Sequence, residues 1–173
     1  MRNLNIVRGG ELVPPNVSDA VLSYKNWIPP RINRESGRLE MHVPMASYMG
    51  PQTDVIRRLA ENIKPTTRAD RAAQRHDIDY YNIRSGLRKT TITPSIAREQ
   101  VRQADNLLMK ESRKGLTNIT NPLNQMHSAA ALSGIKAKTI GEDVGVVDPL
   151  LFVGKGKCKD PLAKMRKQML RHR

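Results

Sequence analysis

Cysteine is nearly absent from this sequence: Cys158 is the single one among 173 residues. No disulfide can close within the chain, which excludes a small secreted scaffold held by cross-links. Aromatic residues make up only 3%, too few for the stacking platforms on which many single-strand binders lay their bases. No run of about 18 apolar residues occurs, so no helical membrane span is expected. The first fifteen residues, MRNLNIVRGGELVPP, hold no apolar stretch of the kind a signal peptide needs. Zinc-ligand spacing, a Walker A loop and internal repeats are also missing.

Acidic residues are scarce relative to basic ones. Thirty Lys/Arg stand against sixteen Asp/Glu, a formal net charge of +14. Such a balance favours polyanionic partners: nucleic acid, an anionic lipid surface or an acidic protein. The excess is uneven, because residues 155–173 carry eight Lys/Arg and one Asp. That tail sets Leu162, Met165, Met169 and Leu170 along one side of a helical spacing, the pattern of a basic amphipathic segment that docks on lipid headgroups or nucleic acid. A solvated terminus is the plain alternative.

What remains reads as three parts: an extended N-terminal arm over 1–40, a domain over 41–153 and the basic tail over 154–173. Pro14-Pro15 and Pro29-Pro30 break any helix in the arm. Ile6, Leu12, Val13, Val21, Leu22 and Trp27 are its expected anchor points. After the turn-like "YMGP" of 48–51, Val55, Ile56, Leu59 and Ile63 share a helical face that Pro65 ends. A longer helix follows, with Thr67 and Asp70 spaced as a capping box and Gly86 as the expected C-terminal stop. Thr93-Pro94 opens the next, which should reach about Lys114. An alanine-rich helical region, interrupted at Ser133-Gly134, is expected over 122–138. His42, His127 and His172 have no evident partner and are expected at the surface.

The second and third of these helical segments share one anomaly. Continuing the small apolar stripe Ala69, Ala72, Ala73 brings His76, Tyr80 and Ile83 onto the buried side. On the next helix, Asp105 shares the face of Ala97, Val101, Ala104 and Leu108. A lone buried charge is costly unless it is paired. If the helices are antiparallel neighbours, His76 and Asp105 can satisfy one another. A purely structural pair tying two helices together would look the same at this stage.

The ordered set "YMGP" at 48–51, "RADRAAQRHDIDY" at 68–80, "RSG" at 84–86 and "QADNLLMKE" at 103–111 resembles the phospholipase A2 domain of parvovirus capsid proteins. The likeness covers roughly 40–153 and implies a mainly α fold: a phospholipase A2-like core of two antiparallel helices with a calcium loop. It implies a calcium-dependent lipase that hydrolyses the sn-2 ester of membrane phospholipids, carried in a virion and acting on a host membrane during entry. In that reading His76, Asp105 and Tyr80 are catalytic residues: neutral His76 takes a proton from water, Asp105 holds the other ring nitrogen, and Tyr80 bonds Asp105. Ca²⁺, a hard cation, would be held by oxygens of Asp77, Tyr48, Gly50 and Gln52. Where the family often has a second glycine, this chain has Gln52, whose side chain restricts φ. The implied partners are an anionic phospholipid membrane and capsid proteins, with nucleic acid an option for the tail. The alternative is a non-catalytic structural virion protein on the same scaffold, held by its arm and tail.

Overall fold

The computed structural model describes residues 6–7, 11–34 and 36–153. The basic tail, with Cys158 and His172, lies outside the described residues. Among the described residues four α-helices carry the fold: α1 (Val55–Ala60), α2 (Arg68–Arg88), α3 (Pro94–Leu116) and α4 (Pro122–Asp143). Two short strands, β1 (Ile6–Val7) and β2 (Glu11–Leu12), pair antiparallel. Among the described residues no helix is long and apolar enough to cross a membrane.

Each long helix starts where its sequence provides a cap. Thr67, Thr93 and Asn121 accept from the backbone N–H three residues on, and Pro94 and Pro122 occupy the first turn, where an N–H would find no partner. Losing one such cap costs about 1 kcal/mol. The helix ends follow sequence signals less well. Gly86 lies inside α2, which runs on to Arg88 and caps at Lys89; the following Thr90 takes φ 55°. Gly86 serves packing instead, since a Cβ there would sit 3.0 Å from Ile92 Cδ1. α4 runs unbroken through Ser133-Gly134, because Gly134 faces open space and one such glycine costs only about 1 kcal/mol.

α2 packs on α3 and α3 on α4. The core forms two clusters. One joins Leu12, Ala46, Tyr48, Met49 and Val55 to Ala69, Ala73 and Ile78 of α2. The other joins Tyr80 and Ile83 to Ala97, Val101 and Ala104 of α3, closed by Val153. Burying a side chain such as Ile78 or Val101 contributes roughly 1.5–3 kcal/mol, so these stripes fix the helix pair. At the far end α3 and α4 come close: a Cβ on Gly115 would lie 2.0 Å from Ser128 Oγ.

The N-terminal segment lies along the helices. Leu12 is buried, and its N–H and carbonyl are both bonded to Asn82 of α2. Arg71 donates to Val17 O at 2.6 Å, and both Arg71 and Arg68 pair with Asp19. The anchors differ in part from those expected: Val17 is buried, whereas Val13, Val21 and Trp27 are exposed.

Candidate active site

His76 sits mid-way along α2, where the two core clusters meet. Its Nε2 lies 2.8 Å from Asp105 Oδ1 on α3. The Tyr80 hydroxyl, one turn further along α2, donates to the same oxygen at 2.8 Å. The rings of His76 and Tyr80 lie 4.1 Å apart between centroids. The helical spacing of the sequence therefore brings these three side chains together. An acceptor-only carboxylate at Asp105 sets the neutral tautomer: the proton resides on Nε2 and the lone pair on Nδ1. Nδ1 is 3.8 Å from Asp77 Oδ1, too far for a hydrogen bond.

Burial works against charge on His76, but its hydrogen bond to Asp105 and the Asp77 carboxylate outweigh that and raise its pKa to about 9. Burial pushes the Asp77 carboxyl above the usual range. Asp105 moves the other way: burial opposes its charge, yet the donors His76 and Lys138 hold it below the ordinary carboxylate value. The Tyr80 phenol is pushed upward, first by burial and then by the neighbouring Asp105 charge, so it stays a donor.

The loop facing this group is rigidly organised. Gly50 takes φ 152°, and a Cβ there would fall 1.7 Å from Met41 O, so only glycine fits. Gln52 adopts φ 68° despite its side chain, and its carbonyl accepts from Asn33 Nδ2 at 2.9 Å. Asp70 is the organising acceptor. It is fully buried and takes the N–H groups of Ser47, Tyr48 and Thr66 and the Thr66 hydroxyl. The Thr67 half of the expected capping box forms, but the Asp70 carboxylate turns to the loop and to Thr66.

A second buried group underlies the loop. Arg58 and Glu40 are each 1% exposed and pair with one another, and Arg58 also donates to Ser47 O. The Glu40 carboxylate further accepts from Asp54 N at 2.8 Å. His42 belongs to this group, with its side chain only 1% exposed, rather than to the surface. Burial, followed by the Arg58 charge, lowers its pKa and keeps it neutral. His127 is likewise buried, its ring nitrogens each 2.9 Å from Thr67 Oγ1 and Pro44 O. Its burial was legible in the sequence, since His127, Ala131, Ile135 and Lys138 fall at helical spacing on one face of α4. Asp70, Arg58 and Glu40 carried no comparable signal.

Among the described residues no group of three or more His, Cys, Asp or Glu side chains is placed to hold a metal. A cation here would have to rest on Asp77 and main-chain oxygens. One feature fits that: among the described residues Asp77 Oδ2 is buried and has no hydrogen-bond partner. The carbonyls of Tyr48 and Gly50 both accept from the Thr53 hydroxyl, at 3.3 and 2.9 Å.

His76, Asp77 and Gly50 line a cavity of about 610 Å³ whose walls are largely apolar: Val43, Met49, Leu108, Ala130, Ala131 and Ile135 among them. A histidine held by a carboxylate beside an apolar cavity has the chemistry to take a proton from water next to an apolar ligand.

Residues 39–118 match the family model of the phospholipase A2-like domain. That match, over somewhat less than half of the chain, supports a phospholipase A2-like domain there. The match runs from the loop through α1, α2 and α3, and so includes His76, Asp77, Tyr80 and Asp105. The α4 wall of the channel lies beyond it. No curated protein and no solved structure matches the chain.

Proposed function

We propose that this phospholipase A2-like domain is a calcium-dependent phospholipase A2 that hydrolyses the sn-2 ester of membrane phospholipids. The 2.8 Å contact between His76 Nε2 and Asp105 Oδ1 at the floor of an apolar channel carries this reading. Because Asp105 holds the proton on Nε2, Nδ1 is free to accept one from a water poised over the ester carbonyl. Asp105 then stabilises the imidazolium, and His76 returns the proton to the leaving glycerol oxygen. Tyr80 keeps the Asp105 oxygen aligned throughout. The channel walls exclude bulk water and take the acyl chain. Calcium, when held by Asp77 with the carbonyls of Tyr48 and Gly50, supplies positive charge for the ester oxygen. Gln52 O is bonded to Asn33 as the Tyr48 and Gly50 carbonyls are to Thr53, so each would exchange that donor for the cation.

Exposed Val144, Val146, Leu151 and Phe152 follow α4, and Phe152 lines the channel. This rim supports docking on a lipid surface, and the net charge of +14 favours an anionic one. A virion protein that breaches a host membrane during entry is the setting we infer from the resemblance to parvovirus capsid domains. The test is fatty-acid release from phospholipid vesicles, with calcium and with chelator. Wild type should release fatty acid only with calcium, and His76→Ala should abolish release. Release that is indifferent to chelator, or equal in His76→Ala, would sink the reading.

A second reading rests on the Thr53 hydroxyl, which already occupies the Tyr48 and Gly50 carbonyls. In it the scaffold is structural and non-catalytic, and the basic tail binds capsid, membrane or nucleic acid. Deleting 155–173 would then abolish polyanion binding or assembly, and calcium would leave the protein's melting temperature unchanged.

A further inference from the structure

Asp105 has a third partner that neither the sequence pattern nor the matched region includes. Lys138, on α4, is 8% exposed, and its ammonium donates to Asp105 Oδ2. The same ammonium is 2.5 Å from Glu142 Oε1, in an ion-pair contact off the line of a hydrogen bond. It also stands 5.8 Å from the Tyr80 ring centroid and 5.7 Å from that of Phe152. A buried ammonium is costly to desolvate, so its position calls for a compensating role.

The division of the Asp105 oxygens supplies that role. Oδ1 takes both donors from α2, His76 and Tyr80, whereas Oδ2, among the described residues, takes Lys138 alone. The terminal torsion of an aspartate is broad. Two donors on one oxygen leave the carboxylate plane free to swing about them; a third donor on the other oxygen, arriving from a different helix, stops it. α4 also carries Ala130, Ala131 and Ile135 of the channel wall. A single ammonium thus ties the wall that would contact an acyl chain to the group that orients His76.

We propose that Lys138 is a positioning residue, which fixes the Asp105 carboxylate in the orientation that holds His76 and couples that orientation to the α4 channel wall. This deepens the phospholipase reading and rests on it for its kinetic consequence only. The competing role is local: Lys138 would merely neutralise the buried Glu142.

The double variant Lys138→Met/Glu142→Gln separates the two, because it keeps the apolar stem and removes both charges of the α4 pair. Its first readout is the NMR signal of the His76 ring. In wild type the Nε2–H should resonate far downfield, as a proton shared with a carboxylate does. It should stay there in Glu142→Gln and move upfield or broaden away in the double variant. In the vesicle assay kcat should fall roughly 10- to 100-fold, the usual scale for losing an orienting partner, with KM little changed. An unmoved His76 signal in the folded double variant overturns the proposal. A wild-type Lys138 Nζ signal that exchanges as fast as an exposed ammonium also overturns it, and that needs no variant. Absence of ester hydrolysis by wild type would refute the phospholipase reading, while the ring and ammonium signals would still decide the role of Lys138.

Discussion

The Asp70 carboxylate accepts the main-chain N–H of Tyr48 at 2.7 Å, across twenty-two positions of chain. The first turn of α2 thereby holds the loop whose Tyr48, Met49 and Gly50 line the His76 pocket. With Asp70 fully buried, its removal leaves the N–H groups of Ser47, Tyr48 and Thr66 without an acceptor. Each unmet buried donor costs about 1–3 kcal/mol. Asp70→Ala should therefore destabilise the fold by roughly 3 kcal/mol or more, as read by chemical denaturation. A loss under about 0.5 kcal/mol, the scale of ordinary surface substitutions, would contradict this role.

Arg58 and Glu40 form a pair that should show strong coupling. Removing one partner of a buried pair strands the other charge and costs about 3–5 kcal/mol. Arg58→Met should fall in that range, and Arg58→Met/Glu40→Leu should be less harmful than the sum of the single changes. A double-mutant cycle measures the difference, and strict additivity would count against the pairing.

These two groups also mark how far the sequence can be read. His76, Tyr80 and Asp105 could be placed from spacing because each interrupts an apolar stripe on a long helix. Asp70 could be read only as a cap, since its loop partners lie some twenty residues away. Glu40, Arg58 and His42 lie outside any long periodic segment. Nothing local distinguishes them from solvated charges.

Gly50 should tolerate no side chain. The added methyl of Gly50→Ala meets Met41 O at 1.7 Å, on a backbone with φ 152°, so the loop must shift. We expect calcium affinity, followed by calorimetric titration, to fall sharply while helix content by circular dichroism is retained. Wild-type affinity in Gly50→Ala would show that the loop takes no part in metal binding.

The pH dependence follows from His76. Its pKa rises from 6.5 to about 9, so the charged ring is favoured in the folded state. The stability this contributes is complete below the ordinary histidine value and is lost as pH rises through about 9. The proposed hydrolysis needs the neutral ring and should have the opposite trend, increasing with pH towards the same midpoint. A cation on Asp77 would offset one of the charges that raise this pKa, so calcium should move the midpoint lower. NMR titration of the His76 ring, with and without calcium, checks both statements. A calcium-free midpoint at or below 6.5 would refute the first.

The sequence alone determined the helices, their caps and the residues that meet at His76, because apolar periodicity and N-cap chemistry act over a few residues. It could not indicate that α2 passes through Gly86, that α4 ignores Ser133-Gly134, or that Asp70, Glu40 and Arg58 are inside. Whether a polar group can be buried depends on the donors and acceptors that distant segments bring to it, and only the packed tertiary structure decides that.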